Sequence, residues 1–305
     1  MDIIENLKFQ WRTGSMLIKI VFINVGVFVL LHLIGLILSF TPFSGEGFLH
    51  WIELPSDVAT FIRQPWTVVT YMFSQYAFFH LLFNMLWLYW FGVIFLFSDS
   101  GKRLLALYLY GGVGGAVLFM AAYTFMGDYG WLIGSSASVI AVVMATAIIH
   151  PDYKMGILFL GEISLKWIAI VTIAIDLMSV SGANGGGHIA HVGGALVGAI
   201  YAGMLKKGVD ITKPFNALVD WFVNLWNRLV HPHKEEKARP FDYTRYRKPS
   251  SGQPRQAASS SAPKSKPAFD EDRLNSILEK IKKSGYGALT AEEKQILFDE
   301  SRKIK

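Results

Sequence analysis

The chain has no cysteine, which excludes disulfides, cysteine-ligated zinc and a cysteine nucleophile and leaves the redox compartment open. It is also short of charge. Only 17% of its 305 residues are Asp, Glu, Lys or Arg, while 52% are apolar, and the mean hydropathy of +0.36 is too high for an ordinary soluble domain. The charge that exists is gathered at one end. Residues 1–205 carry 8 Lys/Arg and 10 Asp/Glu, against 21 and 13 in residues 206–305. The formal net charge of +6 therefore belongs to the tail. A basic segment just past a membrane helix is drawn to anionic lipid, and no nucleic-acid-binding motif accompanies it. The basic balance thus points to a bilayer and not to nucleic acid.

Long apolar runs are abundant. A spanning helix needs about 20 mostly apolar residues, and six stretches qualify: 17–40, 77–97, 102–126, 131–150, 165–180 and 187–205. The fifth is the least uniform, because Glu162, Lys166 and Asp176 flank or enter it. The pattern predicts an all-α membrane protein. The first 16 residues are polar with charges of both signs, and the run behind them is too long for a signal-peptide core, so it reads as a retained first membrane helix. Lys8, Arg12, Lys19, Lys102, Arg103, Lys154, Lys206 and Lys207 alternate with loops carrying only Arg63. That bias predicts both termini on the cytoplasmic side of a cytoplasmic membrane.

The pattern divides the chain into a cytoplasmic segment (1–16), a six-helix domain (17–205), an amphipathic interfacial helix (206–230), a basic linker (231–268) and a helical hairpin (269–305). In the interfacial helix Phe215, Leu218, Phe222, Leu225 and Leu229 recur at helical spacing among too many polar residues to span. The linker is rich in Ser, Pro, Lys and Arg and reads as disordered. Thr290 and Glu293 form a capping box for the second helix of the hairpin, which is too small for a large core and suits docking onto a cytoplasmic partner. The loop 41–76 is unusually long. Its aromatics, among them Trp51 and Trp66, suit a segment lying in the headgroup layer; a folded external cap is the alternative.

Four polar residues inside the apolar runs carry the chemistry: His80, Asn84, Ser136 and His191. Such groups are costly in hydrocarbon, which makes each a functional-site hypothesis. Ser136 is the candidate nucleophile and needs an adjacent base; Ser135 and Ser138 compete with it. His191 is the candidate base, with His188 one turn earlier as its rival. Two histidines at that spacing also suit a metal, for which Asp176 is the one third ligand at hand. His80 and Asn84, four apart, share a helix face and donate hydrogen bonds of the kind that stabilise an oxyanion. Gly194 and Gly198 form G-x-x-x-G on the His191 helix, and Gly134, Ala137, Ala141 and Ala145 make a small-residue stripe on the serine helix. Two such faces in contact would bring Ser136 and His191 together. By the loop charges, His80, Ser136 and His191 lie at one depth, toward the outer side.

Three motifs resemble the rhomboid family of intramembrane serine proteases across 66–203. They are His80-x-x-x-Asn84, Gly134-Ser135-Ser136-Ala137, and Ala190-His191-Val192-Gly193-Gly194 followed by Gly198. The resemblance implies a six-transmembrane-helix rhomboid-like bundle with a cytoplasmic C-terminal extension. It selects Ser136 over Ser135 and Ser138, and His191 over His188. It implies a Ser–His dyad without an acid, oxyanion donors from His80, Asn84 and the Ser136 backbone N–H, no cofactor and no metal. The substrates it implies are transmembrane proteins cut near the outer face. Ala137 stands where the family has glycine, Thr67 where arginine often follows the tryptophan, and Gln75 where histidine is common. The rival readings are a catalytically inactive rhomboid-like protein that binds membrane clients, and a transporter that moves protons through the intramembrane histidines.

Overall fold

The structure, a computed structural model, describes residues 2–41, 45–157, 161–182 and 184–230, with 276–277, 279–281, 289–290, 292–294 and 296–297 near the end. The expected linker and most of the expected hairpin lie outside the described residues. In chain order the elements are α1 (Ile3–Thr13), α2 (Met16–Leu38), α3 (Gly45–Leu49), β1 (Leu54–Pro55), α4 (Val58–Arg63), α5 (Thr67–Thr70) and a 3-10 turn (Tyr71–Phe73). They continue with α6 (Phe78–Phe95), α7 (Gly101–Met126), β2 (Trp131–Leu132), α8 (Ser136–Ile149), β3 (Lys154–Ile157), β4 (Gly161–Ser164), α9 (Leu165–Ser179), α10 (Gly185–Lys206) and α11 (Lys213–Val230).

Local chemistry sets the helix ends. The Ser15 and Ser100 hydroxyls accept from the third backbone N–H of α2 and α7, and the Asp57 carboxylate does the same for α4. Each satisfies a donor the helix leaves orphaned. α7 stops at Gly127 in the left-handed conformation, φ 66°.

Among the described residues, α2, α6, α7 and α10 are long and apolar enough to cross a membrane. The expected runs 131–150 and 165–180 contain shorter helices: α8 has 14 residues and α9 has 15. At 1.5 Å per residue α8 is about 21 Å long, short of the ~30 Å hydrocarbon layer. It does not fill its run because Trp131–Leu132 is extended and pairs antiparallel with β1, Leu54 opposite Leu132.

α8 is the centre of the fold. It is buried along most of its length and packs against α6, α7, α9 and α10. Glycines set how close these helices come. A Cβ on Gly194 would lie 2.1 Å from the Ala137 carbonyl, and one on Gly198 would lie 2.3 Å from that of Ala141. Both pairs advance together, so α8 and α10 run parallel with their backbones in contact. Gly111 abuts Ala141 and Gly115 abuts Ala137, so α7 runs antiparallel to α8. Without a hydrophobic drive in lipid, this close van der Waals packing is what holds such helices together.

The segment 47–76 has its own structure. The Trp66 indole N–H donates to the Trp51 carbonyl (2.8 Å), and the two rings stack with centroids 5.9 Å apart. Thr67 is fully buried, and its hydroxyl donates to the Gln64 carbonyl (2.7 Å). Ser56 is tied to Gly130 through its N–H and its hydroxyl, both at 2.9 Å. The loop thereby grips the segment that leads into α8.

The chain divides into two compact units, Met1–Glu235 and Glu236–Lys305. In the second, the Thr290 hydroxyl accepts from Glu293 N–H (3.3 Å) and the Glu293 carboxylate accepts from Thr290 N–H (2.7 Å), a reciprocal capping box. Ile277 and Leu289 are buried there.

Candidate active site

The approach to α8 is shaped by Gly134, whose φ of 129° favours glycine. A Cβ there would also meet His80 Cε1 at 2.8 Å. The Gly134 N–H donates to the Tyr71 carbonyl (3.0 Å). The turn sets Ser135 just before α8 and Ser136 as its first residue. At this end the backbone N–H groups have no partner within the helix and form a natural anion-facing surface.

The three serines meet different fates. Ser135 is fully buried, and its hydroxyl accepts from the Gln75 side-chain amide (3.1 Å). Ser138 is buried with no hydrogen-bond partner for its hydroxyl among the described residues. Ser136 is partly exposed, and its hydroxyl lies 2.6 Å from His191 Nε2. The parallel packing of α8 and α10 explains the match. Ala137 touches Gly194, so Ser136 stands level with the residue one turn before Gly194, which is His191.

Asp176, on α9, completes the arrangement. Its Oδ1 lies 2.8 Å from Nδ1 of His191 and 2.8 Å from Nδ1 of His188. With both Nδ1–H groups donating to the carboxylate, His191 Nε2 is left as the acceptor that faces the serine hydroxyl. The implied dyad has no acid; here a carboxylate stands behind the histidine. The signal for it was an acid inside an apolar run, but only the packing of α9 on α10 aims it. The three ligand atoms of Asp176, His188 and His191 lie within 4.8 Å of one another.

His80 and Asn84 lie along α6. His80 abuts Gly134, 3.7 Å from whose notional Cβ the Ser136 hydroxyl stands. Asn84 is buried and donates one amide hydrogen to Gln75 Oε1 (2.8 Å). Gln75 is fully buried and also donates to Asn24 on α2 (3.3 Å).

A buried short helix opening on a serine, an imidazole on that serine and a carboxylate on the imidazole define a membrane protein with a serine-hydrolase-like polar centre. Residues 62–208 match the rhomboid domain. The chain is 27% identical over 157 residues to RHOMBOID-like protein 12, mitochondrial, of Arabidopsis thaliana, a match covering 47% of each. It is 34% identical over 134 residues to presenilin-associated rhomboid-like protein A, mitochondrial, of Danio rerio, covering 43% of this chain and 35% of that protein. To the rhomboid protease GlpG of Yersinia enterocolitica it is 22% identical over 216 residues, 65% of each. The chain thus spans half or less of the first two relatives and just under two thirds of the third. Residues 62–208 form a rhomboid-family domain.

Proposed function

We propose that this protein is an intramembrane serine endopeptidase that cleaves transmembrane segments of membrane proteins near the outer face. The observation that carries the proposal is the 2.6 Å contact between the Ser136 hydroxyl and His191 Nε2, backed by Asp176. A serine hydroxyl is a weak nucleophile unless a base takes its proton, and here the base is already hydrogen-bonded to it.

In the reaction, Ser136 Oγ attacks the scissile carbonyl carbon as His191 Nε2 takes its proton. Asp176 holds the Nδ1–H of His191, fixing the tautomer and favouring the imidazolium that forms; it is a positioning residue. The oxyanion is received by the Ser136 backbone N–H, with His80 and the second amide hydrogen of Asn84 as side-chain donors. The protonated His191 then donates to the leaving amine, and a water activated by the same imidazole releases the acyl-enzyme. Non-helical backbone at membrane depth is tolerated where it lines protein or a wet cavity, which is how the 131–135 segment admits that water.

The proposal includes six membrane-crossing helices, with α8 and α9 crossing alongside the four long ones, and both termini on the cytoplasmic side of a cytoplasmic membrane. The basic 206–230 segment then lies on anionic lipid, and 269–305 meets a cytoplasmic partner. Ser136→Ala or His191→Ala is expected to abolish cleavage of a transmembrane substrate by the detergent-solubilised protein without lowering its melting temperature. A fluorophosphonate probe is expected to label the wild type and not Ser136→Ala. Cleavage by either variant, or probe labelling that ignores Ser136, would overturn the proposal.

A further inference from the structure

We propose that Asp176, His188 and His191 form a binding site for a zinc-like divalent metal ion, and that occupying it switches the protease centre off. His188 and His191 are three apart on α10 and face the same carboxylate on α9, each Nδ1 at 2.8 Å from Asp176 Oδ1. All three donor atoms fall within 4.8 Å of one another. Zn–N and Zn–O bonds of about 2.0–2.2 Å place neighbouring tetrahedral ligands roughly 3.3 Å apart. Admitting an ion therefore opens each carboxylate–nitrogen distance by about half an ångström and brings the two nitrogens, now within 4.8 Å of each other, to the same spacing. Two imidazoles and one carboxylate are a donor set that suits zinc or cobalt better than magnesium or calcium.

Two further observations point to a ligand here. The Asp176 side chain is only 6% exposed, yet its Oδ2 is buried with no hydrogen-bond partner among the described residues. An unpaired buried carboxylate oxygen is costly, and a bound cation relieves it. His188, in turn, has no part in the catalytic cycle above, because His191 is the imidazole at Ser136; its convergence on the same oxygen is what a metal site requires. The histidine side chains, 23% and 16% exposed, leave the ion a way in.

The switch follows from the tautomer and rests on the protease reading; the metal site does not. With Nδ1 of His191 bound to the ion, its one proton sits on Nε2. That nitrogen then donates to Ser136 Oγ and accepts nothing, so the base is lost while no proton leaves the site.

The test uses full-length, tag-free Ser136→Ala protein in detergent, titrated with Co²⁺. The expected result is saturable visible absorption of the tetrahedral type, displaced by Zn²⁺ and weakened at least ~10-fold by His188→Gln or, if that variant does not fold, by Asp176→Asn. Absence of the absorption in Ser136→Ala overturns the site whatever the other variants do, as does equal binding in a folded ligand variant. In the wild type, Zn²⁺ is expected to inhibit cleavage with a midpoint matching binding, and a chelator to restore it. Binding without inhibition, or activity lost on chelation, overturns the switch. Binding in a protein that cleaves no substrate leaves the site standing and removes both the switch and the protease reading.

Discussion

Gln75 uses both ends of its amide on other buried side chains. It accepts from Asn84 (2.8 Å) and donates to Ser135 (3.1 Å) and Asn24 (3.3 Å). It thereby ties a proposed oxyanion donor, the residue before the proposed nucleophile and the first long helix into one network. Gln75→Leu keeps the bulk but takes the acceptor from the Asn84 amide and the donor from the Ser135 hydroxyl, while the Asn24 carbonyl keeps the Tyr108 hydroxyl (3.4 Å). We expect a loss of about 1–3 kcal/mol of stability and a fall in kcat with little change in KM; unchanged melting and unchanged kcat together would show that the network is idle. Asp176→Ala removes the partner of His191 Nδ1, and kcat is expected to fall by about 10²–10⁴-fold while fluorophosphonate labelling slows in step. Full turnover in that variant would assign the orientation of His191 to packing alone. The Gln75 partners were not legible in the sequence, and Asp176 was grouped with His188 and His191 only as a metal ligand. Gln75 stood out only as a departure from the family pattern, and Asp176 as an acid in an apolar run and the third ligand at hand for two histidines, because hydrogen-bond partners on other elements, 9 to 60 residues away, leave no periodic trace.

The contact between α8 and α10 is where helices meet chemistry. Gly194→Ala would drive a Cβ to 2.1 Å from the Ala137 carbonyl, so the two backbones must separate and carry Ser136 away from His191. Overpacking of this kind costs about 1–3 kcal/mol, and we expect cleavage to fall more steeply than stability. Gly203→Ala is the control on the same helix. Nothing lies within 4 Å of its notional Cβ, and alanine is the better helix former by about 1 kcal/mol, so melting and activity are expected to hold or rise. Equal loss in both variants would mean that helix flexibility, not close approach, is the glycines' role. The small-residue stripes that make this contact were legible, since their spacing is local. The start of α8 was not. Trp131, Leu132 and Ile133 are as apolar as a helix turn, and only pairing with Leu54–Pro55 and the turn at Gly134 make that stretch extended.

At the scale of the first compact unit, α7 and α10 are tied together far from the candidate active site, at the start of one and the end of the other. Arg103 donates to Asp99 (3.1 Å) and Asp210 (2.9 Å), Tyr201 donates to Asp99, and the Thr212 hydroxyl and N–H donate to Asp210. Burial works to raise the Asp210 pKa, but the Thr212 donors and the Arg103 guanidinium outweigh it and hold the carboxyl below its ordinary 3.8. A carboxylate depressed in the folded state contributes stability above that ordinary value and loses it as pH falls through the folded one. The wild type should therefore melt above Asp210→Asn at neutral pH, with the gap closing only below about pH 4. A gap independent of pH down to about 3 would show that Asp210 acts by shape and not by charge.

What the residues alone determined is the class: the long apolar runs require a bilayer, and polar groups within them, joined to three short motifs, point to a rhomboid. These are local or compositional properties, readable without knowing what touches what. Tertiary structure decided the rest. It set Ser136, and not the nearby Ser135 or Ser138, against an imidazole, gave that imidazole a carboxylate, and made Gln75 the centre of a network. It could do so because the register of two parallel helices, set by glycines that let backbone meet backbone, converts residues 55 apart in sequence into neighbours at hydrogen-bond distance.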